Sequence, residues 1–201
     1  KRAERVPRML ESLEIMKLLW TEDRVEYHGK YYEVPAVTPS FRPTQVPYPP
    51  IWMAANHDSA IQRATFAGYP WLVNPHATVS MVEQQLLGSR AAATYAGIPI
   101  NPNLPMMREA YAAENREQAF RESQPYLESK YQAYAQWGQD KALPGNESFQ
   151  VPFEVLARDR FVVGTPEDLV NDFKRYEDQL GVTHMIVRMQ WPGMEHAKVM
   201  K

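Results

Sequence analysis

From residue 51 onward the sequence predicts an α/β fold around a parallel sheet, because short apolar runs alternate there with helical segments. A strand, a helix and a second strand in succession imply a right-handed crossover, and strands joined in that way lie parallel. The first quarter of the chain differs, since it holds a helical pattern, a hairpin pattern and then six prolines within residues 35–50. The strands are predicted at residues 51–55, 71–73, 104–113 and 183–189.

The segment before residue 51 is predicted to be a helix, a hairpin and an extended connection. Apolar residues from Val6 to Leu19 recur near the helical spacing of 3.6 residues, which predicts a helix over residues 2–20. Tyrosines and valines flank His28-Gly29-Lys30 and predict a small hairpin over residues 24–34. The prolines of residues 35–50 exclude a helix and favour an extended Pro-rich connection.

The helices after residue 51 are predicted from their capping residues. Ser, Thr, Asp or Asn favours a helix start, and Gly favours its end. The clearest start is Thr165-Pro166, with Asp168 as the acidic residue of a capping box. Residues 139–158 predict a loop with one short helix, and residues 161–163 predict an extended segment. The predicted helices begin at Asp58, Thr78, Asn115 and Thr165 and end near Phe66, Tyr95, Trp137 and Leu180.

Composition excludes several classes of function. The 201 residues suit one domain, 44% of them are hydrophobic and 23% are charged, so disorder is not expected. The absence of cysteine excludes disulfides, thiolate metal sites and a cysteine nucleophile. The five histidines lack the i, i+4 spacing of a helical metal site, so no metal is expected. The net charge of −2 argues against nucleic-acid binding, and no apolar run is long enough for a membrane span.

Two segments that follow predicted strands are candidate binding sites. Ala54, Ala55, Asn56 and His57 link the end of a strand to the start of a helix, where unpaired N–H groups favour an anion. On the residues alone, a plain capped helix with close strand packing is the favoured explanation of these four residues. Gln190 and Trp191 follow the last strand, on the edge of the sheet where ligands bind in parallel α/β folds. A turn that ends the strand is the alternative there.

Several stretches, taken in order, resemble the carboxyl-terminal part of the bacterial luciferase-like, flavin-dependent monooxygenase family. They span nearly the whole chain, and their order and spacing carry the resemblance. They are Glu11–Asp23, Val25–Tyr32, the Pro-rich Pro43–Ala55, Val163–Leu169 and Gly181–Val187.

The resemblance implies the carboxyl-terminal part of a TIM-type (β/α)8 barrel, extending over residues 1–201. The four predicted strands would be the fifth to eighth of the family barrel. The first four strands would then precede Lys1, together with the catalytic residues, so no catalytic residue is named. We expect the two outer strands to be completed by that missing half or by a second copy, since exposed strand edges aggregate.

The resemblance also implies roles for the two candidate segments. Ala54, Ala55, Asn56 and His57 match the turn that contacts the flavin phosphate or ribityl chain. Many relatives have Gly or Ser there, whereas this chain has Asn56 and His57. A contact through backbone N–H groups is compatible with that change, but a contact through a serine hydroxyl at these two positions is not. Gln190 and Trp191 match the segment that borders the substrate.

The implied activity is a cytoplasmic oxidoreductase in which reduced FMN and O2 act on a small organic substrate. NAD(P)H would reduce the FMN, often through a separate flavin reductase, and the partial barrel alone is expected to be inactive. Two alternatives remain open. One is hydride transfer with a deazaflavin coenzyme, and the other is a non-catalytic half-barrel that serves binding or dimerisation.

Overall fold

The computed structural model describes residues 2–145 and 147–200. They form two compact units, one ending at Ile51 and the other beginning at Trp52. Within these residues, no helix combines the length and the apolar character that crossing a membrane requires.

The first unit contains the predicted helix and hairpin. A 3-10 turn at Arg2–Glu4 leads into α1 (Arg5–Thr21), and β1 (Val25–His28) pairs antiparallel with β2 (Glu33–Val37). The turn between β1 and β2 is longer than predicted, because Tyr31 and Tyr32 lie in that turn rather than in a strand. Their backbone N–H groups donate to the Glu11 carboxylate of α1 at 2.9 and 2.8 Å. They are therefore not available to pair with a neighbouring strand.

The second unit alternates strands and helices, as the sequence predicts. The structure adds a short helix at His196–Val199, which the sequence pattern did not predict. In chain order the elements are β3 (Met53–Ala54), α2 (Asp58–Phe66), β4 (Trp71–Leu72), α3 (Val79–Tyr95), β5 (Pro105–Ala112), α4 (Arg116–Gln136), a 3-10 turn (Asp140–Ala142), α5 (Phe153–Ala157), β6 (Val162–Gly164), α6 (Pro166–Leu180), β7 (His184–Arg188) and α7 (His196–Val199).

All strand pairs of the second unit are parallel, which confirms the α/β prediction. β3 pairs with β4, and β5 lies between β6 and β7. A bridge between Val73 and Met106 joins the two groups of strands. The sequence predicted β6 only as an extended segment. It pairs with Ala110–Ala112 at the carboxyl end of β5.

Two of the three predicted helix caps, Asn115 and Thr165, are present, and Thr78, the predicted start of a helix, is also a cap. Thr78 and Asn115 each accept a hydrogen bond from the backbone three residues on, and Thr165 forms a complete capping box with Asp168. The prediction that Asp58 caps α2 is wrong. His57 is the N-cap residue and Asp58 is the first helical residue, because the Asp58 carboxylate accepts instead from the Gln85 side chain at 2.8 Å.

Register assigns each strand residue to one of two faces of the sheet. Registered neighbours on parallel strands point to the same side, and successive residues alternate. Met106 and Val73 are fully buried beneath the helices. The residues next to them in the chain, Leu72 and Met107, point to the other side of the sheet, which we call the open face. Ala54 and Ile186 are registered with these two residues and share that face. All four are at least partly exposed.

Candidate functional site

Four polar residues lie at the carboxyl edge of the sheet, two within β5 and β7 and two in the segments that follow β3 and β4. Each of them follows one of the four open-face residues by two positions in the chain, and a spacing of two keeps a residue on the same face of a strand. The Asn74 amide donates to the Asn56 side chain, and Arg188 is registered opposite Glu109. Ligands of parallel α/β folds bind at this edge. We call Asn56, Asn74, Glu109 and Arg188 the polar edge.

Glu109 is the centre of the polar edge and is fully buried. Its Oε1 accepts from Lys130 Nζ of α4 at 2.7 Å and from Arg188 at 2.8 Å. Its Oε2 accepts from the Trp191 indole N–H at 2.6 Å. One carboxylate thus connects β5, α4, β7 and the segment after β7.

The charges around Glu109 do not balance. Burial raises the pKa of Glu109, and the positive charge of Arg188 and the hydrogen bond from Trp191 oppose that rise. Two cations nevertheless share this single carboxylate, so an excess of positive charge remains where Arg188 reaches the open face. The side chain of Arg188 is 27% exposed and that of Lys130 only 9%.

A second unbalanced cation lies on the opposite side of the sheet. Arg108 is fully buried, donates to the Asn74 carbonyl at 3.1 Å and lies 5.6 Å from the centre of the Tyr176 ring. Its Nε and one terminal nitrogen have no hydrogen-bond partner among the described residues. Burial lowers the pKa of this guanidinium. Arg108 adds to the positive potential of the polar edge.

His76 follows β4 and lies among aromatic rings beside the polar edge. Its ring is 4.9 Å from that of Tyr134 and 6.0 Å from that of Phe149. Burial, and next the charge of Arg188, lower the pKa of His76 to about 4. His76 is therefore neutral near pH 7, and Nδ1 has no partner among the described residues.

The predicted cofactor segment forms an ordered turn between β3 and α2. Ala54 and His57 are exposed, whereas Ala55 is buried and its carbonyl accepts from the Trp71 indole at 2.9 Å. The Asn56 carbonyl accepts from Gln85 at 2.9 Å. These bonds fix the backbone, while the small side chain of Ala54 leaves room for a flat ligand.

The start of α2 presents N–H groups that can donate. The N–H groups of the first helical turn point away from the helix body and carry the positive end of its dipole. Asp58 belongs to that turn, but its carboxylate is held by Gln85 of α3. The N–H groups of this turn can donate to a phosphate or a sugar hydroxyl, while the Asp58 carboxylate in the same turn counts against an anion.

Gln190 and Trp191 lie in different environments. Gln190 is exposed after the end of β7. Trp191 is only 2% exposed, and its indole holds Glu109. Its direct contact in this structure is thus with the polar edge.

Sequence reasoning missed Glu109, Lys130 and Arg188. The available signal was a charged residue within an apolar strand, as in Met107-Arg108-Glu109-Ala110 and in Val187-Arg188-Met189. Charged residues are almost never fully buried unless they are paired. No group of three or more His, Asp or Glu side chains within residues 2–145 and 147–200 is placed to hold a metal ion.

Comparisons with known proteins agree on one family. A family model described as luciferase-like monooxygenase matches residues 1–184. The F420-dependent glucose-6-phosphate dehydrogenase of Segniliparus rotundus is 24% identical, and the match covers 98% of this chain and 58% of that protein. The oxygenase component of the flavin-dependent trigonelline monooxygenase of Acinetobacter baylyi is 25% identical, and the match covers 85% of this chain and 50% of that protein.

A solved structure shows the same fold. The crystal structure of a monooxygenase from Streptomyces bottropensis superposes with a TM-score of 0.76 at 22% identity. The superposition covers 99% of this chain and 58% of that one. The chain thus spans between half and three fifths of the length of these proteins.

Proposed function

The chain belongs to the luciferase-like monooxygenase family, and on that premise we propose that the protein is a flavin-dependent monooxygenase. It would use reduced FMN and O2 to oxidise a small organic substrate. The observation that carries the proposal is the family match over residues 1–184. The polar edge supports it, since it lies where parallel α/β enzymes bind ligands.

We assign cofactor binding to Ala54, Ala55, Asn56 and His57. The flavin, when bound, supplies the redox chemistry, and the protein supplies position and water exclusion. The N–H groups at the start of α2 would bind the phosphate, and the exposed Ala54 leaves room beside the backbone.

The substrate would lie against the polar edge. Gln190, exposed after β7, would border it, and Trp191 would act through Glu109. Neutral His76 and the hydroxyl of Tyr134 lie beside this region and are the groups able to exchange or hold a proton there.

A separate flavin reductase would provide the reduced cofactor from NAD(P)H. The trigonelline monooxygenase relative is described as an oxygenase component, which supports a two-component system.

A second candidate is hydride transfer with a deazaflavin coenzyme. The relative from Segniliparus rotundus is described as F420-dependent, and its match covers 98% of this chain. The same turn after β3 would then hold the deazaflavin phosphate.

Cofactor titration tests both candidates. FMN and the deazaflavin coenzyme are added separately to the full-length gene product, and binding is followed by cofactor fluorescence. Binding of FMN with flavin-dependent NADH and O2 consumption, in the presence of a flavin reductase, supports the monooxygenase. Binding of the deazaflavin alone selects the second candidate, and binding of neither refutes both.

An Ala54→Phe variant tests the assigned turn. The added ring would occupy the exposed space beside the backbone and weaken cofactor binding at least about tenfold. Exposed Ala96 lies after α3, and Ala96→Phe is the matched control. Equal cofactor affinity in the two variants would show that the turn after β3 does not hold the cofactor.

A further inference from the structure

We propose that Arg188 and Tyr134 form a binding site for an anionic oxygen group, carboxylate or phosphate, of the substrate. This inference rests on the proposed function, because it names the substrate class of that same site. It starts from the two cations, Lys130 and Arg188, that contact the single carboxylate of Glu109.

Lys130 is the cation that neutralises Glu109. Its ammonium group is 2.7 Å from Oε1, and its side chain is nearly as buried as the carboxylate. A buried ion pair of this kind is stable only when both charges are present. The charge of Arg188 is then in excess, although one of its nitrogens also contacts Glu109 at 2.8 Å.

Arg188 has donors that the protein satisfies weakly. Its NH1 is 3.4 Å from the Met107 sulfur, which is a weak acceptor. Its NH2 is bound to Glu109 at 2.8 Å and makes only a long hydrogen bond, 3.3 Å, to the Tyr134 hydroxyl, so NH1 is the donor that a ligand would take. A carboxylate or phosphate would replace a thioether with a charged acceptor, and such charge-assisted bonds are roughly twice as strong as neutral ones.

Tyr134 supplies the second donor. Its oxygen accepts from Arg188, so its own proton is available to a ligand. Burial and the charge of Glu109 raise the pKa of Tyr134, so the hydroxyl keeps its proton at neutral pH. The two side chains come from β7 and α4, which places one donor on the sheet and the other on the helix beside it.

The surroundings favour an anion over a cation. Arg108 and Arg160 are buried nearby, and burial of His76, followed by the charges of Arg188, Arg160 and Arg108, depresses its pKa. His76 therefore adds no charge of its own near pH 7, Arg160 is paired with Glu147 at 2.8 Å, and the partly exposed charge of Arg188 is the one that repels a cationic group. Trp137, exposed and 5.8 Å from the Tyr134 ring, provides an apolar surface for the rest of a small organic anion.

Benzoate and its neutral analogue benzamide test the site on the chain as it exists. Binding is followed by the shift of the Trp191 indole N–H signal in NMR, because that group donates to Glu109 within the same cluster. Benzoate and inorganic phosphate are expected to shift the signal saturably, and benzamide is not. Equal binding of benzamide and benzoate would overturn the proposal.

Three variants locate the site. Arg188→Gln is expected to weaken benzoate binding at least about tenfold, and Tyr134→Phe roughly threefold, as loss of a charged and a neutral hydrogen bond predicts. Arg188→Lys should recover part of the affinity. The control Arg121→Gln, on the exposed side of α4, should change the affinity less than about twofold. If Arg188→Gln fails to fold, Tyr134→Phe still tests the site. Unchanged benzoate affinity in Tyr134→Phe refutes the proposal.

Two further titrations separate the substrate from the cofactor. If Arg188→Gln weakens FMN binding but leaves both riboflavin and benzoate binding unchanged, the anion is the cofactor phosphate and the substrate assignment is wrong. If benzoate binds as expected but neither FMN nor the deazaflavin does, the anion site stands and the proposed function fails.

Discussion

Glu109→Gln is expected to destabilise the second unit strongly, because it leaves two cations without their carboxylate. The cost does not come from losing Glu109 itself, since burial already disfavours its charged form. It comes from Lys130, whose side chain is 9% exposed and whose ammonium lies 2.7 Å from Glu109. Removing one partner of a buried ion pair typically costs about 3–5 kcal/mol.

The lower end of that range applies here. Arg188 is partly exposed, so water can solvate its charge, and the glutamine oxygen can still accept from Trp191. We therefore expect a loss of about 3 kcal/mol in the free energy of unfolding. With a urea m value of about 2 kcal/mol/M, the midpoint falls by roughly 1.5 M.

Urea unfolding followed by far-UV circular dichroism measures this loss. Glu117→Gln is the control, since Glu117 lies on the exposed side of α4 and should cost less than about 0.5 kcal/mol. Adding Lys130→Met to Glu109→Gln should restore part of the stability, because no buried ammonium then remains unpaired. A loss below about 1 kcal/mol for Glu109→Gln, or strictly additive effects in the double variant, would refute the reasoning.

Three further predictions concern other parts of the second unit. The pKa of His76 in the folded chain is about 4, below its ordinary value, so the folded chain binds fewer protons than the unfolded one. The free energy of unfolding therefore falls as the pH drops from about 6.5 towards 4. The slope is at most about 1.4 kcal/mol per pH unit. Unfolding free energies at pH 7 and pH 5 should show this slope, and His76→Gln should reduce it while His196→Gln should not. Gly181→Ala should lower the free energy of unfolding by about 1 kcal/mol, because φ is +78° at the end of α6. Gly88→Ala, within α3, should raise it by about 0.5–1 kcal/mol. Thermal melts that ranked the two variants the other way would contradict this. Burial, and next the hydrogen bond to Glu122, raise the pKa of Tyr111 to about 12, and that bond lowers the pKa of Glu122; Tyr111→Phe should therefore return the Glu122 titration, followed by carbon NMR, towards its ordinary range.

Local sequence signals predicted most of the elements because each depends on neighbouring residues. Thr165, Pro166 and Asp168 predict the start of α6 from side-chain and backbone chemistry within a single turn. The alternation of strand and helix predicted parallel pairing in the same way. The prediction failed at Asp58, where the deciding partner is Gln85, 27 residues away.

The polar edge could not be predicted, because its members are distant in the chain. Glu109 and Arg188 are 79 residues apart and become neighbours only through the register of β5 with β7. Tyr134 lies in α4, and its position along the helix does not indicate a contact with Arg188 of β7. Its hydroxyl contact with Arg188 is set by how the helix lies on the sheet. The cofactor role of Ala54 to His57 stays a prediction.

The sequence by itself determined the α/β class, the order of its main elements, the caps of two helices and the resemblance to a family. Those properties follow from local propensity, periodicity and motif order. The tertiary structure alone decided which charges meet. Burial of Glu109 between Lys130 and Arg188 depends on long-range packing, and the energy of a charge depends on the groups that surround it rather than on those beside it in the chain.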